Sequence, residues 1–234
     1  HNMVVRGERE LRGERRGKGG RSLLATAVPF FFIYLLSVCP AAAQRVEIHA
    51  RAGAAGSSAL VTDRIADASV PNVLGVPVQE EVRAVPAVGP MLAAGARVAF
   101  WPQVMLGLEG SWTATELEAE DDAGTRPIQD LTVVQGMVGA SWAVRPAVEL
   151  GAGAGLIWYR SEGEGLFADG SDASPVLELS AAWTPGVWDG RLALIAAAQT
   201  HRFSTPSLRA AGGQDGSVTR ASLSARVRLA EVGR

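Results

Sequence analysis

The sequence predicts an all-β chain, an eight-stranded antiparallel up-and-down β-barrel that crosses a lipid bilayer. Three observations predict it. Apolar and polar residues alternate with period two in one segment after another, the signature of strands with two unlike faces. Eight such segments follow in series, near residues 46–54, 89–101, 104–116, 131–144, 148–160, 175–184, 191–203 and 218–230. Their connections alternate in length, as they do in a meander whose two ends face different surroundings.

The chain begins with a segment of a different kind. Residues 6–21, RGERELRGERRGKGGR, are mostly charge and glycine; SLLATAVPFFFIYLLSVC follows, then PAAAQ. A basic region, an apolar region and Ala41-x-Ala43 before Gln44 are the three parts of a secretory leader. Residues 1–43 are therefore expected to be removed, leaving 44–234 as the barrel domain. The apolar run is near the short end for a membrane anchor. A lipoprotein would acylate Cys39 in LSVCP, but Val38 stands where a small residue is required. Removal after Ala43 takes away the only cysteine, so the remaining chain has no thiol for disulfide or metal chemistry. The net charge of -2 speaks against a nucleic-acid partner.

Each strand is justified by its two faces. Val46, Ile48 and Ala50 oppose Glu47, His49 and Arg51. In AFWPQVMLGLEGSW, Leu106, Leu108 and Trp112 oppose Gly107, Glu109 and Ser111. Leu150, Ala152, Ala154, Leu156 and Trp158 oppose Glu149, three glycines and Tyr159. Leu177, Leu179 and Trp183 oppose Glu178 and Ser180, and Leu223, Val227 and Leu229 oppose Arg220, Arg226 and Arg228. Three arginines on one face do not enter a dry core unpaired. The faces fit lipid outside and a polar lumen inside.

The connections WPQ, RPA and TPGVWDG are short and rich in turn formers. Those near 55–88, 117–130, 161–174 and 204–217 are long and polar. Within the first, ALVTDRI and VQEEVRAVPAV also alternate, leaving open whether they extend the first two strands. An eight-stranded barrel is just wide enough for side chains to fill, so Glu47, Glu109, Glu149 and Glu178 are expected to meet Arg51, Arg97, Arg220, Arg226 and Arg228 in a structural network of ion pairs. Arginine forks satisfy carboxylates through paired hydrogen bonds. Trp101, Trp142 and Trp188 fall at or near the short turns, where amphipathic rings suit a membrane interface.

With these features the chain resembles the small bacterial outer-membrane β-barrel family of the OmpA-domain and OmpX kind. The resemblance spans residues 44–234 and rests on architecture and alternation. It implies residence in the bacterial outer membrane after export, contact with outer-membrane lipid and lipopolysaccharide, and insertion by barrel assembly machinery. It also implies a monomer without cofactor, with an envelope-integrity or surface-interaction role through long external loops. The family usually ends its last strand in an aromatic residue, where this chain reads RLAEVGR.

Two alternatives belong to other classes. A lipid-modifying barrel enzyme would use His201 as its base, in QTHRFSTPS; the spacing of three to Ser204 puts the two side chains on opposite faces. A secreted soluble β-barrel would turn its apolar faces inward around an apolar ligand. ELEAEDDAG offers Glu116, Glu118, Glu120, Asp121 and Asp122, but without the spacing of a calcium loop, and no metal site is expected. GAGAG at 151–155 lacks the helix and lysine of a phosphate-binding loop, and its glycines are expected to leave room for inward arginines.

Overall fold

A computed structural model describes residues 45–71, 77–121, 124–161, 171–206 and 216–233. The expected leader, residues 1–43, lies outside these, as does Asp122. The described residues form ten strands: β1 (Val46–Ser57), β2 (Val61–Pro71), β3 (Pro77–Pro86), β4 (Gly89–Trp101), β5 (Val104–Asp121), β6 (Gly124–Arg145), β7 (Val148–Ser161), β8 (Ser174–Trp183), β9 (Leu192–Phe203) and β10 (Gly216–Val232). All pairings are antiparallel, and β1, β4, β5, β6, β7, β8, β9 and β10 close into a ring in which each strand joins the next and β10 joins β1. The eight segments expected from alternation are these eight.

Closure fixes the geometry. Followed from strand to strand, Val46 leads to Val98, Leu106, Ala140, Ala152, Leu179, Ala198 and Ala221, and returns to β1 at Gly56, ten residues beyond its start. Eight strands about 4.8 Å apart with that stagger, at about 3.3 Å per residue, tilt by about 40° to the barrel axis. At the seam β1 and β10 approach closely: a Cβ on Gly53 would lie 2.1 Å from the Leu223 carbonyl oxygen.

Alternation decides what faces outward. Leu177, Leu179 and Leu223 are 61%, 69% and 67% exposed, whereas Glu47, Arg51 and Arg220 are 3%, 8% and 2% exposed. Charge is inside and leucine outside, the reverse of a water-soluble barrel. At the short-turn end Phe100, Trp101, Trp142, Trp183 and Trp188 are all exposed. Trp112 and Trp158 flank Val134 nearer the other end, so aromatic rings bracket the apolar band. Trp188 sits in a one-turn 3-10 segment, Trp188–Gly190, with φ of 53°, 50° and 70° at three successive residues. Only the glycine adopts that left-handed region freely.

Two of the expected long connections differ. Residues 117–130 are not a loop: β5 and β6 stay paired to Asp121 and Gly124, with a bulge between Leu117 and Glu118. Within 55–88, β2 and β3 form a hairpin. It does not lengthen the first two barrel strands; β3 instead takes over from β4 along β5, with Arg83 opposite Glu120 and Pro86 opposite Leu117. The strands β2, β3, β5 and β6 thus continue as a sheet past the end of the ring. Among the described residues no helix is long and apolar enough to cross a membrane.

Candidate functional site

The lumen is layered. Nearest the short turns, Glu47 on β1 accepts hydrogen bonds from Arg45 and from Arg97 on β4, and Arg228 on β10 approaches it to 3.5 Å. Arg97 also donates to Glu149 on β7 at 2.7 Å, and Arg226 reaches the same carboxylate at 3.3 Å. Arg45 and Arg228 further engage Glu231, at 3.0 and 2.8 Å. One layer up, Glu109 accepts from Arg51 at 2.7 Å and from His49 at 3.0 Å, while Arg51 turns its remaining donors to Ser224. These contacts follow from inward parity on neighbouring strands: Glu47 is registered with Arg97, and Gly95 stands between His49 and Glu109.

Arg220 and Glu178 are not directly paired. Arg220 donates to Gln135 at 3.1 Å, to Gln199 at 3.3 Å and to Thr113. Gln199 in turn donates to Glu178 at 2.6 Å. A neutral amide therefore carries the interaction between the two charges. The structure thus joins Glu47, Arg97, Glu149, Arg226 and Arg228 by direct contacts in one set and Arg51 with Glu109 in a second, and brings Arg220 to Glu178 through Gln199. Arg45, His49, Glu231, Gln135, Gln199 and Thr113 were not among the expected members. Inward parity was the signal available for His49, Gln135, Gln199 and Thr113.

Between the layers lies a cavity of about 110 Å³ beside Met105, Met137, Gly107 and Gly153. Below it, a vestibule of about 330 Å³ at the short-turn end is bordered by Arg45, Asp189 and Arg191. The glycines of GAGAG, expected to leave room for inward arginines, instead lie against Ser180, Met137 and the backbone of the adjoining strand. A Cβ on Gly155 would lie 2.0 Å from the Gly136 carbonyl oxygen and 2.7 Å from the Met137 Sδ.

The polar lumen does not run the whole length of the barrel. At the opposite end the inward faces carry Leu117, Leu131, Val133, Ile157, Phe203 and Val218, which pack with Leu60 into one apolar cluster. The outward faces there become polar, with Glu116, Asp130, Arg160 and Arg202 all exposed. The faces exchange character where the strands pass out of the apolar band.

His201 lies under this cap, 4% exposed, with Nε2 at 2.7 Å from the Tyr159 hydroxyl. Tyr159 stacks on the imidazole and meets Phe203 edge-on. His201 therefore faces the lumen and not lipid. The Ser204 Oγ is buried without a hydrogen-bond partner among the described residues. No group of three or more His, Cys, Asp and Glu is placed to hold a metal among the described residues. Trp101, Trp142 and Trp188 are 63%, 53% and 67% exposed, and Trp183, at 53%, joins them.

No protein-family model matches the chain, and no curated protein matches it. Solved structures are similar in fold. Ail, the attachment invasion locus protein of Yersinia pestis, in complex with the heparin analogue sucrose octasulfate, is 15% identical with a TM-score of 0.43, covering 80% of this chain and 99% of Ail. Neisserial surface protein A is 15% identical with a TM-score of 0.44, covering 79% and 97%. The outer membrane protein OprG of Pseudomonas aeruginosa is 11% identical with a TM-score of 0.43, covering 80% and 96%. The barrel assignment for this chain stands on its own strand pairing.

Proposed function

We propose that the chain is a non-enzymatic barrel of the bacterial outer membrane, exported by the leader at residues 1–43, that presents its extended β2–β3–β5–β6 sheet outside the cell. The observation that carries this reading is the inside-out distribution of charge on a closed ring: leucines exposed around the belt, and carboxylates and guanidiniums buried within. A secreted soluble barrel has the opposite arrangement. A lipid-modifying enzyme needs its base on the lipid face, and His201 points away from it. In this reading the lumen network is structural, the exposed tryptophans anchor the barrel at the inner interface, and lipopolysaccharide and the assembly machinery are the partners met in place.

The expressed protein should fractionate with outer membranes and change gel mobility on heating. An epitope inserted between Asp121, the end of β5, and Gly124, the start of β6, should be labelled on intact cells, and one at Gln103 only after permeabilisation. Equal labelling of both refutes the assigned orientation, and a heat-insensitive soluble protein refutes the membrane reading. The apolar cap leads to a further expected result. A lumen closed by packed leucine, phenylalanine and isoleucine offers ions no hydrated path, so the purified barrel should add no steady conductance to a planar bilayer. Discrete channel steps that scale with protein would show that the cap opens.

A further inference from the structure

Three inward glycines stand in register on adjacent strands, Gly107 on β5, Gly139 on β6 and Gly153 on β7, and the same row runs on to Glu178 on β8 and back to Arg97 on β4. With no side chains along the middle of the row the lumen stays open there, as the cavity of about 110 Å³ between the layers. Its floor is thin. Arg97, Glu149 and Arg226 border both this chamber and the vestibule of about 330 Å³ below it, so one Arg–Glu–Arg bridge separates the two spaces.

Most charged groups at the chamber wall are spent on one another. Arg51 and His49 engage Glu109, and Arg97 engages Glu149 and Glu47. Two are not. Glu178 accepts only the neutral amide of Gln199, on Oε2, and among the described residues its Oε1 has no donor and no cation lies within ion-pair distance. Arg226 gives only Nη2 to Glu149, at 3.3 and 3.4 Å, and its Nε and Nη1 have no acceptor among the described residues. The Ser180 hydroxyl, on the same face of β8 as Glu178 and also at the chamber wall, likewise has no partner among them. Buried charges are stable only when paired and hydrogen-bonded. Three or four waters, at about 30 Å³ each, would fill the chamber, but water brings a countercharge to neither group.

We propose that the chamber is a binding site for a small zwitterion, an α-amino acid with little or no side chain, its carboxylate on Nε and Nη1 of Arg226 and its ammonium on Glu178 and the Ser180 hydroxyl. A guanidinium edge grips a carboxylate through paired, charge-assisted hydrogen bonds. Size sets the limit on the ligand. A cavity of about 150 Å³ holds a benzene molecule and this one is smaller, so glycine and alanine fit and an aromatic amino acid does not. The ligand enters from the short-turn end, through the vestibule and past the Arg97–Glu149–Arg226 bridge. The inference goes beyond the structural role given to the network and needs only the closed ring.

The test is a titration of the folded, full-length mature barrel in detergent micelles, where both ends are open to solution, followed by calorimetry and by saturation-transfer NMR. The probes are glycine, alanine and phenylalanine, with glycolate, which lacks the ammonium, and methylamine, which lacks the carboxylate. Wild type should bind glycine and alanine, exclude phenylalanine, and hold glycolate and methylamine about tenfold more weakly or worse. Glu178→Gln keeps the shape and the acceptor for Gln199, and should lose about tenfold or more in glycine affinity while leaving glycolate unchanged. Ser180→Leu, which fills the chamber from β8, should abolish glycine binding. A folded wild type that binds none of the probes holds water alone and overturns the site. Glycine bound no better than glycolate, or bound by Glu178→Gln as by wild type, overturns it too. A barrel that binds glycine in micelles but does not fractionate with membranes removes the membrane reading and leaves the site standing.

Discussion

Glu109→Ala should lower the stability of the barrel by about 3 kcal/mol, the lower end of the usual cost of stranding a buried charge. The lower end is expected because the Glu109 side chain retains 19% exposure to the cavity side of the lumen. The substitution leaves Arg51 with only Ser224 and removes the acceptor for His49 Nε2. Glu109→Gln keeps the shape and one acceptor but loses the charge, so it should fall between alanine and wild type. The structure also says which partner to remove: Arg51, since Arg97 and Arg226 are engaged by Glu149. In a double-mutant cycle followed by urea unfolding from lipid, Glu109→Ala and Arg51→Ala should cost less together than the sum of their separate effects. Strict additivity would place Glu109 in contact with water and outside the network.

The second large effect belongs to the outer face. Leu179 lies on β8 four residues from Trp183 at one end and four from Pro175 at the other, near the middle of the apolar band. Leu179→Arg should therefore cost about 2 to 4 kcal/mol, the depth-dependent penalty for a cation on the lipid face of a barrel. Arg at the adjacent Ser180 points the other way, towards the cavity bordered by Glu149 and Glu178, and should be better tolerated. The comparison is made by folding both variants into the same vesicles. Equal losses would mean that the two faces of β8 have been interchanged.

The barrel strands were legible because a bilayer outside and a charged lumen inside impose opposite polarities on alternate residues, as in Leu177–Glu178–Leu179–Ser180. The sheet past the ring was not. In ELEAEDDAG the outward residues are charged and the inward ones, Leu117 and Ala119, are few and small. Pairing there is carried by backbone hydrogen bonds that leave little trace in side-chain polarity, and Pro127 within β6 reads as a breaker. The apolar cap was obscured by a subtler effect. At Leu131, Val133, Ile157 and Phe203 the inward residues are apolar, so the period-two pattern continues with its polarity reversed. A strand whose alternation changes sign has left the lipid, and that change was present in the sequence between Trp112 and Leu117. Contacts such as Gln199 between Arg220 and Glu178 were beyond sequence reasoning, because parity assigns a residue to the lumen without saying which of several inward neighbours it will meet.

The cap and the vestibule together make the lumen a blind recess, and this determines which solution the ion pairs sense. Ions enter a recess only from its open end, here the one with the short turns and the vestibule beside Arg45 and Arg191. Salt added on that side screens the Glu47 and Glu149 contacts within a Debye length of about 8 Å at physiological strength. Salt added on the other side meets packed hydrocarbon. In the orientation proposed above, the interior charges thus belong to the inner compartment alone, and a sudden dilution or acidification of the outside medium should leave them unchanged until that compartment follows.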